Sequence, residues 1–457
     1  MSENKTENPQ IVKAINAFSQ NKFQEAENIC LNLLQQDNNP DANHILGCIR
    51  MGEKKYDESI KYIEKTLALQ PENIGVLISL GCAQSSKKSY DDSIKTFKKI
   101  VKLKKDISQV HFYLGEAYRQ KEKHTDALDS FKNCLSLTPD HIGCQLMIGI
   151  IYEELKKFDQ AIKFYKSCIS TFPEYMEPHI NLGMCYLLTG NYSDGWNEYE
   201  WRLKLPAKAY NLKLSNNKWK GQDISGKKLL VIAEQSPGDT FQFIRFAKML
   251  AMEGAKIIVV AQEETIEVLK NQKWITKVLS YDDNFPEYDY YTYLISIAKV
   301  LEWNPKMDTQ QHPYLSIDKK DNPKIMSNIK TIGLMVEADP NLSNFNQISI
   351  PKKEIDKIFS GKDFNIINIP IATDYHDFSK TINEIDLLVS IESDLVHLAG
   401  ALNVPTWVML PVVPKHTWDL NFKTTSPWYP SLCLFRQQTH NNWDSVLSDI
   451  QEKLNSV

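Results

Sequence analysis

Asp239 follows Gly238 just after the apolar run 228–233, and a helical pattern starts there. A strand that turns into a helix at this point sets the carboxylate beside the positive end of the helix, which keeps it ionised and fit to act as a base. The position suits a plain helix cap equally well, worth about 1 kcal/mol. Glu392 and Ser393 close another apolar run, 387–391, ahead of a second helix. Backbone N–H groups and a hydroxyl at such a turn can hold a pyrophosphate. His397, one turn on, either faces the same opening or sits satisfied in a core. Arginine is scarce here: of 53 basic residues only Arg50, Arg119, Arg202, Arg245 and Arg436 are arginines. The guanidinium fork of Arg245 or Arg436 matches phosphate oxygens, and a salt bridge to a nearby carboxylate is the alternative use.

These residues need elements to position them. Runs 228–233 and 256–260, with a helical stretch between them, have βαβ rhythm. A second series follows, with strands expected at 331–336, 365–369, 387–391 and 406–410. Two such halves predict two doubly wound lobes with a cleft at the carboxyl ends of their strands.

The first two hundred residues follow a different rule. Gly47, Gly81, Gly115, Gly149 and Gly183 are each 34 residues apart, and each is followed twelve residues later by a small residue, Ser59, Ser93, Ala127, Ala161 or Gly195. Pro71, Pro139 and Pro173 close three of the units. The pattern predicts helix-turn-helix repeats in which the glycine and the small residue let two helices approach closely and proline ends the second. A weaker unit over 11–39, with Ala26 at the small position, brings the number to roughly six through Leu205. Stacked, the units form one curved α solenoid. Its concave face is expected to hold Phe112, Tyr113, Met147, Asn181 and Met184, together with His44, Ile78, Leu146 and Ile180, as a groove for a peptide or protein. The aromatic end of the last unit, Gly195-Trp196-Asn197-Glu198-Tyr199-Glu200-Trp201-Arg202, favours docking on another domain. With residues 208–220 as a connector, the boundary is expected near 210, giving domains 1–210 and 211–457.

A formal charge of -4 gives no footprint for nucleic acid or an anionic membrane surface. The start of the chain carries no apolar signal core, and no run approaches the ~20 apolar residues that span a bilayer. The eight cysteines show neither a CxxC pair nor metal-ligand spacing with histidine. They read as small core residues in a reducing compartment, so a cytoplasmic protein without membrane insertion and without a metal is expected.

The repeats resemble the tetratricopeptide repeat. The segment Glu234-Gln235-Ser236-Pro237-Gly238-Asp239-Thr240-Phe241-Gln242-Phe243-Ile244-Arg245 resembles a strand-to-helix motif of heptosyltransferase-like GT-B enzymes. Ser390-Ile391-Glu392-Ser393 with His397-Leu398-Ala399 is similar to their donor-site segment, and Ser426-Pro427-Trp428-Tyr429-Pro430 with Leu434-Phe435-Arg436-Gln437 resembles the closing segment of bacterial repeat-plus-transferase proteins. The combination resembles the architecture of O-linked N-acetylglucosamine transferase. The resemblance implies an α solenoid followed by an α/β two-lobed Rossmann-like GT-B domain. It further implies a metal-independent glycosyltransferase of hexosyl or heptosyl type, moving a sugar from a nucleotide-sugar co-substrate to a protein acceptor presented by the repeats. Asp239 would then be the base, and Gln235, Gly238, Thr240, Arg245, Glu392, Ser393, His397 and Arg436 would hold the donor.

The donor-side loop 336–348 contains no Lys, Arg or His and carries Glu337 and Asp339, while Asp394 adds a carboxylate at a helix start where phosphate would sit. Lys415, His416 and Arg245 are the cations available to compensate. A catalytically degenerate repeat scaffold, whose α/β lobe only binds a nucleotide or sugar, is therefore the alternative, and a nucleotide-binding enzyme of another reaction class is the third.

Overall fold

The computed structural model describes residues 8–307, 312–317, 329–338, 348–360, 363–370 and 374–455. The chain divides into two compact units, Met1–Pro173 and Glu174–Val457.

Among the described residues the first unit holds five helix pairs: α1 and α2 (Pro9–Ser19, Phe23–Gln36), α3 and α4 (Pro40–Gly52, Tyr56–Leu69), α5 and α6 (Ile74–Ser86, Tyr90–Leu103), α7 and α8 (Ser108–Gln120, His124–Leu137), and α9 and α10 (Ile142–Glu154, Phe158–Thr171). The 34-residue glycines lie at helix-helix contacts, as expected. A Cβ on Gly47, Gly81, Gly115 or Gly149 would come within 2.5–2.6 Å of Ile63, Phe97, Phe131 or Tyr165 respectively, the large residue on the second helix of the same pair. The small residues Ser59, Ser93, Ala127 and Ala161 are fully buried. A further period lies in the turns. Lys54, Lys88, Glu122 and Lys156, again 34 apart, have φ of 56° to 66° and close the first helix of each pair. The next N–H returns to a carbonyl five residues back, as from Lys55 to Arg50 at 2.9 Å, which satisfies an otherwise orphaned helix end.

The second unit opens with one more pair in the same register, α11 (Met176–Leu188) and α12 (Tyr192–Tyr199), followed by a 3₁₀ turn at Glu200–Lys204. Two parallel sheets follow. In the first, β1 (Lys228–Ile232), β2 (Lys256–Val260), β3 (Ile275–Leu279) and β4 (Tyr290–Tyr293) lie in the order β3-β2-β1-β4. In the second, β5 (Thr331–Met335), β6 (Asn365–Asn368), β7 (Leu387–Ile391), β8 (Thr406–Leu410) and β9 (Leu432–Arg436) lie in the order β6-β5-β7-β8-β9. Each sheet reverses its strand order once, next to β1 in the first and between β5 and β7 in the second. Ligands of open parallel sheets bind beside the carboxyl ends at such reversals.

The two lobes share one core. Trp303 stacks on Trp428 at 3.8 Å, and Phe243 and Phe246 of the helix Pro237–Met252 (α13) pack edge-on against both tryptophans or one of them. The α11–α12 pair is part of this body. Trp196 Nε1 donates to Trp303 O at 2.9 Å, Leu420 N donates to Leu188 O at 3.0 Å, and Tyr192 Oη donates to Asp419. Aromatic residues on the last repeat helix therefore dock on the α/β fold, and by packing this pair groups with residues beyond 210. No helix among the described residues is long and apolar enough to cross a membrane.

Candidate functional site

Where the first sheet reverses its order, Glu234 follows β1 and is fully buried. Its carboxylate accepts from Leu294 N at 3.0 Å, Ile295 N at 3.3 Å and Arg202 Nη2 at 2.7 Å. Arg202 also donates to Glu200 and Ser296, so this crevice is filled by the turn that follows the last repeat helix. Sequence reading did not assign Glu234 or Arg202 a role. The scarcity of arginine was the available signal, and the aromatic run around Arg202 marked the surface it serves.

Next to that plug two helix N-termini meet. Ser236 caps α13, accepting from Asp239 N at 3.2 Å, while Asp239 Oδ2 accepts from Ser236 N at 3.1 Å and Ser236 Oγ at 2.9 Å. The cap foreseen for Asp239 is thus present as one half of a reciprocal pair, and its carboxylate is half-exposed at the strand-to-helix turn. From the other lobe, Asp394 starts the helix Asp394–Ala401. Its Oδ1 lies 3.1 Å from Ser236 Oγ and its Oδ2 accepts from Tyr375 Oη at 3.3 Å. A Cβ on Gly238 would fall 2.3 Å from Asp394 Oδ1 and 3.0 Å from Asp394 Cα. Gly238 therefore serves a close contact between lobes rather than a ligand.

Glu392 Oε1 accepts from Lys415 N at 3.1 Å and Trp418 Nε1 at 2.9 Å, and burial pushes its carboxyl up. Desolvation works against the Lys415 ammonium, yet Asp239, Glu392 and Asp394 together hold its pKa above the ordinary lysine value. Lys415 keeps part of its surface in solvent. Asp239, Asp394, Glu392, Ser393 and Lys415 thus converge where the two lobes meet. Ser393 Oγ lies 3.4 Å from Ser390 Oγ.

The remaining expected donor residues are engaged elsewhere. Arg245 is buried and donates through Nε to Gln242 O, through Nη1 to Trp428 O at 2.6 Å and through Nη2 to Tyr314 Oη at 2.9 Å, so its fork braces the shared core and has none of the expected carboxylate partners. Arg436 donates to the carbonyls of Trp418, Asp419 and Phe422 and stiffens the segment after Lys415. His397 is buried with Nδ1 2.9 Å from Tyr429 Oη and its ring 5.2 Å from Trp418, and burial holds its pKa well below the ordinary histidine value. It is the satisfied core histidine. Gln235 adopts φ 66° at the end of β1 and donates to Tyr210 Oη at 2.7 Å. Thr240 is buried and donates to Gln262 Oε1 at 2.8 Å. Of loop 336–348, residues 339–347 lie outside the described residues.

On the repeats, Phe112, Tyr113 and Met147 are half-exposed on the first helices of their pairs, whereas Leu146 is buried. Tyr113 stacks on Phe97 at 5.6 Å, and Phe112 packs against His141 at 5.0 Å. Asn181 and Met184 belong to the second unit, where Met184 packs against the shared core. Cys134, His141 and Cys144, in which the sequence shows no metal-ligand spacing, present their ligand atoms within 4.8 Å of one another. The spacing escaped notice because the three residues straddle a helix-helix turn.

Comparison with known proteins finds the repeats. Residues 40–73 match the tetratricopeptide-repeat family, and residues 86–168 match the family of anaphase-promoting complex (cyclosome) subunit 3. Protein FlbA of Caulobacter vibrioides is 22% identical over 325 residues, 59% of this chain and 53% of FlbA. The chain thus spans about half the length of the curated relative it matches. Among solved structures, MamA is 22% identical with a TM-score of 0.32, covering 35% of this chain and 92% of MamA. YrrB, described as a TPR protein with an unusual peptide-binding site, is 20% identical with a TM-score of 0.34, covering 38% of this chain and 92% of YrrB. The chain carries an N-terminal tetratricopeptide-type helical solenoid, followed by a region of parallel sheets.

Proposed function

We propose that the chain is a glycosyltransferase that takes its acceptor, a protein or peptide, from the repeats and its sugar from a nucleotide donor held where the two lobes meet. The observation that carries this reading is the meeting of Asp239, at the turn after β1, with Glu392, Ser393 and Lys415, at the turn after β7 and the segment facing it. Both turns lie at carboxyl ends of parallel strands, where such folds bind ligands. Lys415 is the cation for the diphosphate, assisted by the Ser393 hydroxyl and the N–H groups of the helix after it. Asp239 takes the proton of the acceptor hydroxyl as its oxygen bonds to the anomeric carbon. The bond from that carbon to the donor phosphate breaks, and the nucleoside diphosphate leaves with the electron pair.

A second reading, a repeat scaffold without turnover, is favoured by the contact of Gly238 with Asp394 and by the three carboxylates around one lysine. Like charges beside a diphosphate repel it unless cations exceed them. Nucleotide release with cell extract as acceptor source, run beside thermal shifts with nucleotide sugars, separates the two. Asp239→Asn keeps a capping oxygen, so donor binding should persist while turnover falls by roughly 10²- to 10⁴-fold. Wild-type protein that binds a nucleotide sugar yet releases no nucleotide with any acceptor would leave the scaffold reading standing. Undiminished turnover in a folded Asp239→Asn variant would remove the proposed base.

A further inference from the structure

A cysteine-histidine cluster lies in the first unit, at the turn between two helix pairs. Cys134 lies in the last turn of α8, His141 caps α9 and Cys144 lies in the first turn of α9. Both cysteines are fully buried, and burial pushes both thiols up. The His141 ring is half-buried and fixed by the Cys144 N–H, which donates to Nδ1 at 3.2 Å, and by packing on Phe112. From α7, Glu116 is near enough for its charge to act on Cys144. Its buried Oε1 makes no hydrogen bond among the described residues, and Arg119 Nε stands 3.7 Å from it.

The repeat provides an internal control. In the 34-residue register the His141 position is Asn39, Asn73, Ile107 and Tyr175 elsewhere, and both asparagines cap their helices through the side chain. The Cys134 position is Thr66, Ile100 and Cys168, and the Cys144 position is Ala42, Val76, Val110 and Pro178. One junction alone combines two sulfurs and an imidazole; at the imidazole position two of the other repeats use an asparagine cap and two have no side-chain cap.

We propose that Cys134, His141 and Cys144 bind a single thiophilic divalent cation, of which Zn²⁺ is the type, with the fourth position open to Glu116 or water. A tetrahedral ion with Zn–S of about 2.3 Å and Zn–N of about 2.0 Å needs donors roughly 3.5 Å apart, so the present spread closes with side-chain rotation. Binding releases both thiol protons to solvent. With water in the fourth position two thiolates cancel the charge of the cation, and a neutral centre suits this buried place; with Glu116 there the centre carries one negative charge, which Arg119 Nε, 3.7 Å from Glu116 Oε1, faces.

The test uses the full chain, reduced with a phosphine that does not bind metal. Wild type should take up one equivalent of Zn²⁺ against a chromophoric chelator. Its Co²⁺ form should show thiolate-to-metal charge-transfer absorption with strong tetrahedral d–d bands. His141→Asn keeps a side-chain cap of the kind Asn39 and Asn73 provide and removes the imidazole, so helicity should hold while Zn²⁺ affinity falls at least ~10- to 100-fold, the loss that even an outer-shell partner causes. Cys144→Ser should abolish the charge-transfer band, and Cys168→Ser should leave both readings unchanged. No Zn²⁺ uptake by wild type, a Co²⁺ spectrum without thiolate charge transfer, or undiminished affinity in His141→Asn would each overturn the site.

Discussion

The Arg245 guanidinium uses all three of its nitrogens inside the shared core and lies 4.4–5.3 Å from the rings of Tyr314, Tyr429 and Trp428. Removing it takes the guanidinium donor from the buried Trp428 carbonyl and from the Tyr314 oxygen and forfeits contacts with three rings. Arg245→Ala should therefore destabilise the second unit by about 3 kcal/mol, read by urea unfolding, and should change nucleotide affinity only through that loss of stability. A stable variant with selectively weakened nucleotide binding would show the opposite role. At this scale residue type was legible and direction was not. Scarce arginines marked places that matter, but only packing shows whether a guanidinium turns toward a cleft or toward Trp428. Asp239 was legible for a local reason: a Gly-Asp pair at a strand-to-helix turn fixes where the carboxylate stands without help from distant residues. Lys415 was named in the sequence only as one possible compensating charge, because the carboxylates that surround it come from two turns distant in sequence, one after β1 and one after β7.

Helices and central strands followed the sequence closely because their signals are local. Glycines every 34 residues have a steric reason that holds in every pair: the large residue opposite leaves no room for a side chain. Gly115→Ala would place a methyl 2.6 Å from the buried Phe131 ring, so it should cost the first unit about 1–3 kcal/mol in denaturant unfolding. Gly52→Ala meets open space and should instead stabilise by roughly 0.5 kcal/mol, by restricting the unfolded chain and favouring helix. Equal effects at the two sites would refute the close-contact explanation. Strands β3, β4 and β9 were not anticipated. Ile275–Leu279 is largely exposed and broken by polar residues, Tyr290–Tyr293 is four residues of mostly aromatic sequence, and Leu432–Arg436 lies in a segment read only as a motif. All three lie at sheet edges, and none has the continuous run of buried residues that marks β1, β2, β7 and β8.

Across the whole chain, the α11–α12 pair keeps the repeat's sequence register while its side chains serve the α/β core. Trp196 and Arg202 are buried there, and Arg202 neutralises a carboxylate that has no access to water. A fragment comprising 174–457 should fold as a monomer with a single cooperative transition. A fragment starting at 211 would bare Trp303 and leave Glu234 buried without its partner, a loss on the order of 3–5 kcal/mol, and should aggregate. Gel filtration and thermal unfolding of the two fragments decide this, and equal stability would contradict the assignment of the pair. Its dual allegiance was half legible: the period of 34 and the aromatic run were both visible, yet a periodic pattern reports what a helix resembles and not what it packs against.

The in-register glycines have a consequence for how such a chain can change its length. Gly149 and Gly183 keep the 34-residue step across the point where one compact unit gives way to the other, and the pair that carries Gly183 is built into the α/β body. Duplication or loss of whole repeats upstream of residue 173 therefore preserves the phase of every later helix and touches none of the contacts made by Trp196 or Arg202. In genetic terms the array is a cassette: its number of repeats is free to drift by unequal recombination, while its last pair is inherited with the α/β fold.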